Sequence, residues 1–272
     1  MKASTTRRSA VMALAAAATS TGQRTAFAYP SETGPRARNA AVPQVAENEI
    51  LMLVYPRFTA LDLIGPQHVF ALLGPGYKTR LVWKNKDVLL SDTGIPIQPT
   101  MTFDECPRTP GMIFVPGGTD GTVAAMEDPE VRGFISDVGS KAKYVTSVCT
   151  GSLILGAAGL LKGYKATSHW LALRHLEKFG ATPVSERVVQ DRNRITGAGV
   201  TAGIDFALTL ASQLQNEDYA KSIQLMMEYD PKPPFGAGNP KVAPASSVQM
   251  LEAMTAPFNA EVEAAAKRLK LQ

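Results

Sequence analysis

The segment Tyr144-Val145-Thr146-Ser147-Val148-Cys149-Thr150-Gly151-Ser152 constrains this chain more than any other. A β-branched run ends at a cysteine, and small residues and a helical pattern follow without a gap. A strand that becomes a helix within one or two residues must make a sharp elbow. Such elbows stand at the carboxyl edge of parallel sheets, where they raise a side chain into the ligand-binding crevice. The N–H groups opening the next helix would face the sulfur and favour the thiolate, its reactive form. The alternative is a buried packing cysteine, since free Cys behaves as a small hydrophobe.

The rest of the pattern fits a parallel sheet. Ile50–Tyr55, Thr79–Lys84, Met112–Val115 and Tyr144–Val148 read as strands, with Lys165–Thr167 a shorter one. Val88–Leu90 with Ile95–Thr100, and Arg187–Val189 with Arg194–Ile195, read as paired segments. Helices are expected over Gln67–Leu73, from Asp128-Pro129-Glu130 onward, and over Thr150–Ala158, His169–Phe179, Gly203–Leu214 and Glu217–Met227. Apolar strands alternating with helices predict an α/β protein: one doubly wound, mostly parallel sheet sandwiched by helices, flavodoxin-like in layout. That domain is expected over residues 48–230. Residues 29–47 read as a linker. Residues 231–272 read as a tail packing on the domain, with short helices over Val248–Met254 and Glu261–Leu269.

The first 28 residues differ in kind. Thr6-Arg7-Arg8-Ser9 precedes an alanine-rich apolar run, and Ala26-Phe27-Ala28 offers a small-x-small cleavage site. This is the layout of a signal peptide, twin-arginine-like in its paired arginines, and it predicts a periplasmic or secreted protein. A disordered tail and a mitochondrial presequence are the competing readings. The leader also holds Lys2, Arg7, Arg8 and Arg24 and no acid, so of 28 basic residues 24 remain beyond it, against 24 acidic ones. A neutral remainder gives no argument for nucleic acid. No run reaches the roughly 18 apolar residues of a membrane-spanning helix.

Two cysteines in an exported chain invite a disulfide. Cys106, however, precedes its strand while Cys149 follows its own. In a parallel sheet those are opposite ends, about 17 Å apart at the usual rise per residue. Both are therefore expected to be free, Cys106 as a packing residue.

Three segments should meet beyond the carboxyl edge: the Asp62 loop, the Pro116-Gly117-Gly118 turn and the Cys149 elbow. Asp62, between Leu61 and Leu63, sits in an apolar neighbourhood that would raise its pKa and let it supply a proton; otherwise it caps the following helix. Gly117 and Gly118 permit close backbone approach. With the Thr150 N–H they could form an oxyanion-type pocket, although Pro-Gly-Gly is by itself a turn signal. His169 is either a partner of the cysteine or a packed helix-start residue. His68 and His175 lack ligand-like spacing, and no metal site is expected.

These motifs together resemble the ThiJ/PfpI superfamily, with its class I glutamine amidotransferase-like fold, and within it the isonitrile hydratase branch. The likeness extends through Ala157-Ala158-Gly159-Leu160-Leu161, Ala166-Thr167-Ser168-His169-Trp170, Gly199-Val200-Thr201-Ala202-Gly203-Ile204-Asp205-Phe206 and Pro233-Pro234-Phe235-Gly236-Ala237-Gly238, covering roughly residues 49–245. The resemblance implies a hydro-lyase that adds water to an isonitrile, giving an N-substituted formamide. It implies Cys149 as nucleophile, Asp62 as general acid, Thr150 as the residue after the nucleophile, no metal or organic cofactor, and a homodimer. A thiol-dependent glyoxalase, deglycase or amidase of the same superfamily is the alternative. So is a regulatory domain like the sensor half of AraC-type regulators, for which too little chain follows Asp230 to build a helix-turn-helix domain.

Overall fold

A computed structural model describes residues 44–269; the leader and residues 29–43 of the linker lie outside the described residues. In chain order the elements are β1 (Val45–Leu53), α1 (Ala60–Ala71), β2 (Lys78–Trp83), β3 (Leu89–Leu90), β4 (Pro96–Ile97), β5 (Met101–Thr102) and β6 (Thr109–Val115). Then come α2 (Asp120–Glu127), α3 (Pro129–Lys141), β7 (Tyr144–Val148), α4 (Gly151–Ala157), β8 (Lys165–Ala166) and β9 (Thr182–Pro183). The chain continues through β10 (Val188–Asp191), β11 (Arg194–Gly197), α5 (Ala202–Leu214), α6 (Glu217–Met226) and α7 (Ala245–Arg268).

The main sheet has seven strands in the order β10-β11-β7-β6-β1-β2-β5. Every pairing within it is parallel except the β10–β11 hairpin at one edge. The central strands are apolar throughout because helices cover both faces of a parallel sheet: Ile50 to Tyr55 and Met112 to Val115 are all buried. Helices α1 and α5 pack together on one face, where Phe70 meets Phe114 and Phe206 edge-on and those two rings are tilted against each other. The start of α3 follows its sequence signals: Asp128 Oδ1 accepts from Glu130 N–H at 3.0 Å and Val131 N–H at 3.2 Å, ahead of Pro129. The doubly wound, mostly parallel architecture is the one expected, and both cysteines are free and buried.

Four local expectations need correcting. Strand β1 begins at Val45, inside the segment read as linker, because Val45 and Ala46 pair with Thr109 and Pro110 of β6; pairing that distant in sequence leaves no local trace. Asp62 is not in a loop but in the first turn of α1, whose N-cap is Thr59. The helix expected from His169 is a turn followed by a 3-10 helix over Leu173–Phe179, closed by left-handed Gly180. The two short tail helices are one helix, α7, which runs through Pro257. Proline removes one helical hydrogen bond, yet tertiary packing overrides that cost: Asn259, Val262, Ala265 and Ala266 are buried on the body of the protein, and α7 packs on α2. Helix α2 had no clear sequence signal. Among the described residues, no helix is long and apolar enough to cross a membrane.

Candidate active site

Strands β1, β6 and β7 are neighbours, so the segments leaving their carboxyl ends converge. They bring Asp62, the Gly117–Gly118 turn and Cys149 together, as the sequence anticipates. The elbow is strained. Cys149 holds φ at 57°, a left-handed conformation that non-glycine residues rarely adopt. Its N–H is shared between Gly197 O at 3.1 Å and Ala198 O at 2.9 Å, which ties the elbow to the end of β11. Its carbonyl accepts from Ser168 Oγ at 3.0 Å and Ser152 Oγ at 3.1 Å. Gly151 is required by close approach: a Cβ there would stand 2.2 Å from Val115 O.

Asp62 is completely buried, at 0 % exposure. Its Oδ2 accepts from Gly117 N–H at 2.9 Å, while Oδ1 has no well-formed partner within the protein. The Cys149 thiol and Asp92 both act on its ionisation. Burial pushes the carboxyl up to about 7, with the Gly117 N–H pulling the other way. The carboxylate does not cap α1, so the capping alternative falls.

Burial also pushes the Cys149 thiol well up, and negative charge on Asp62 adds to this; the N–H groups of Thr150 and Val200 oppose both. The pull expected from the helix-opening N–H is present, but burial and Asp62 outweigh it. Helix α4 is only seven residues long, and the thiol is desolvated beside an acid. Negative charge on Asp62 therefore works against the thiolate.

The amides of Gly117 and Gly118 are already engaged, so the oxyanion-type role expected of them is not available in this arrangement. Gly117 N–H holds Asp62, and Gly118 N–H donates to Thr150 Oγ1 at 2.9 Å. A Cβ on Gly117 would fall 2.6 Å from Thr150 N and 2.8 Å from Asp62 Oδ2. The turn is thus a bracket that sets acid and nucleophile against each other. Thr150 sits beside the sulfur as expected, but its hydroxyl is turned away: Oγ1 donates to Gly118 O at 2.6 Å, and its backbone N–H serves the thiol.

Two buried hydroxyls that sequence reasoning did not single out complete the bracket. Tyr55 OH donates to Pro116 O at 2.9 Å. Thr122 Oγ1 lies 2.8 Å from Thr150 Oγ1 and 2.9 Å from Gly118 O. The only signal for Tyr55 is a polar tip at the end of an apolar strand. Thr122 gives none, and neither does Val200, which contributes a backbone amide.

His169 lies in the turn after β8, packed on Gly199, and accepts weakly from Leu171 N–H at 3.4 Å. Burial lowers its pKa, and the groups acting on the thiol are Asp62 and the two amides. His175 is buried, its Nε2 2.8 Å from Asn259 Oδ1, and it anchors α7. His68 is on the surface. No cluster of metal-ligating side chains occurs among the described residues.

Residues 48–213 match the model of the DJ-1/PfpI family. The chain is 47% identical over 228 residues to the isonitrile hydratase of Pseudomonas putida, an alignment covering 82% of this chain and 99% of that protein. It superposes with a TM-score of 0.80 and 50% identity on the crystal structure of a ThiJ/PfpI family protein from Pseudomonas syringae, covering 88% of this chain and 98% of the other. It is also 33% identical over 147 residues to the HTH-type transcriptional regulator GbdR of Pseudomonas aeruginosa, of which only 39% is covered.

Proposed function

The chain belongs to the DJ-1/PfpI family, and we propose that it is an isonitrile hydratase-like enzyme, adding water to an isonitrile to give an N-substituted formamide. What supports this reading is the convergence of a fully buried Asp62, held by Gly117 N–H at 2.9 Å, with a buried Cys149 on its strained elbow. Near-complete coverage of the Pseudomonas putida isonitrile hydratase supports the same substrate class.

The chemistry needs one nucleophile and one mobile proton. The sulfur of Cys149 attacks the terminal carbon of R–N≡C and a C–S bond forms. The proton leaving the thiol passes through Asp62 to the same carbon, whose developing lone pair accepts it. The product is the thioimidate R–N=CH–S–Cys149. Water adds to that carbon and a proton goes to nitrogen. The C–S bond then breaks with its electron pair leaving on sulfur, which regains a proton as R–NH–CHO departs. A carboxyl with a pKa near the working pH suits both the delivery and the return.

The amides of Thr150 and Val200 stabilise charge on the sulfur at each stage where it is exposed. Gly117 holds the acid in place, and Thr150, Thr122 and Tyr55 hold the turn that carries Gly117. We further propose that the leader directs export through the twin-arginine route and that the protein acts as a homodimer, the latter on the family's precedent.

The test is a substrate panel on protein lacking residues 1–28. Alkyl and aryl isonitriles are compared with small 2-oxoaldehydes, and the formyl proton of the product is followed by NMR. Formamide production supports the reading. Turnover of the oxoaldehydes with no formamide would overturn it in favour of a glyoxalase-type enzyme.

A further inference from the structure

Thr59 and Asp62 stand where the two halves of a capping box usually do, a hydroxyl at the N-cap of α1 and an acid three residues on. Neither side chain serves the helix. Asp62 Oδ2 accepts from Gly117 N–H at 2.9 Å, and Thr59 Oγ1 donates to Asp92 Oδ2 at 2.8 Å. The backbone ties the two residues together: Thr59 N–H donates to Gly117 O at 2.8 Å, and Asp62 N–H donates to Thr59 O at 3.1 Å. Thr59 thus meets Asp62 by two routes, the first turn of α1 and the Gly117 turn.

Asp92 belongs to the turn between β3 and β4, which is docked on the chain leading into α1. Arg57 N–H donates to Leu90 O at 2.8 Å, and Asp92 N–H donates to Phe58 O at 2.9 Å. The Asp92 carboxylate is therefore fixed by backbone and hydroxyl together, at the end of a helix that favours negative charge. The cation on the adjoining segment, Arg57, is paired with Asp120 instead. Asp92 is exposed, whereas Asp62 is fully buried. When two carboxyls share a helix start, the solvated one carries the charge, and its field works against ionisation of the buried one. Burial is the main cause of the raised pKa values of Asp62 and Tyr55, and Asp92 acts on both in the same direction.

We propose that Asp92 is a positioning residue for the hydration: fixed by Thr59, it keeps a negative charge beside the first turn of α1 and so holds the proton on Asp62. The proposal rests on the hydratase reading above for what that proton does. It gives the β3–β4 hairpin, which lies outside the main sheet, a part in the chemistry.

The experiment follows the Asp62 carboxyl carbon by NMR across pH in protein carrying isotope-labelled aspartate, with Asp62→Asn to assign the signal. The pH profile of kcat/KM for an aryl isonitrile is measured on the same samples. Asp92→Asn keeps an oxygen for Thr59 but no charge. It should lower the midpoint of the Asp62 titration by about 0.5 to 1 pH unit at low salt, and the limb of the rate profile that tracks Asp62 should move with it. At roughly 1 M salt the difference from wild type should mostly vanish, because an exposed charge is then screened within a few ångströms. Asp92→Glu, which restores the charge, should return the midpoint toward that of wild type. An unmoved midpoint, a shift that salt leaves intact, or a glutamate variant no different from the asparagine one would overturn the role of Asp92. If formamide forms and the midpoint stays put, only that role falls. A wild type that makes no formamide from any isonitrile overturns the hydratase reading, and the assignment of Asp92 to hydration falls with it.

Discussion

Asp62→Asn tests the acid through stability as well as rate. Asparagine keeps an oxygen to accept from Gly117 N–H but carries no charge. The native carboxyl is fully buried, and burial raises its pKa from an ordinary 3.8 to about 7. Each unit is worth about 1.4 kcal/mol, so holding the ionised group in the folded state costs about 4 kcal/mol once the pH exceeds the folded value.

The sign follows from linkage. In the unfolded chain the carboxyl ionises near 3.8, so below that pH neither state is charged and nothing is lost. The penalty grows as pH rises from about 4 to about 7, then levels off. Asp62→Asn should therefore be more stable than wild type at pH 8, by up to about 4 kcal/mol, and should lose most of that advantage at pH 5. At about 2–4 °C per kcal/mol for a domain of this size, the Tm gap at pH 8 should approach about 10 °C. Calorimetry at the two pH values measures it. Hydration of an isonitrile should meanwhile fall by about 10² to 10⁴. A variant less stable than wild type at pH 8, or a Tm gap equal at both pH values, would refute the raised carboxyl. Undiminished turnover would remove Asp62 from the chemistry.

Cys149→Ala should abolish formamide production with the fold intact by circular dichroism, whereas Cys106→Ala should keep activity and lose about 1 kcal/mol in urea melts from its packed site. Thr122→Val removes the hydroxyl that meets Thr150 Oγ1 and Gly118 O. It should lower kcat about tenfold and shift the pH profile, and Thr122→Ser should recover both. Gly117→Ala places a Cβ against Thr150 N and Asp62 Oδ2; it should reduce kcat more than it raises KM, in steady-state assays. A reporter fused to residues 1–35 should be exported, and should stay in the cytoplasm when Arg7 and Arg8 become lysine; cell fractionation decides it.

Alternation of apolar strands with helices, Gly180 after Phe179, and the Asp-Pro-Glu start of α3 are local signals. Each is written within a few residues, and the α/β layering follows from them by burial alone. The elbow at Cys149 is equally local, since a strand that meets a helix with no spacer has one way to turn. What is not local was not legible. The extension of β1 to Val45 needs β6, and the unbroken α7 needs the surface that buries Val262 and Ala265.

The site divides in the same way. Sequence alone identified Cys149, Asp62 and the Gly117–Gly118 turn as neighbours, because parallel strands deliver their carboxyl ends to one edge. Only the tertiary structure decided what they do there. It committed the Gly117 and Gly118 amides to Asp62 and Thr150, and it added the hydroxyls of Tyr55 and Thr122. It also buried Asp62 and Cys149, and burial raises the pKa of both. Residue types are fixed by the chain, but desolvation belongs to the space between segments, which exists only after they have packed.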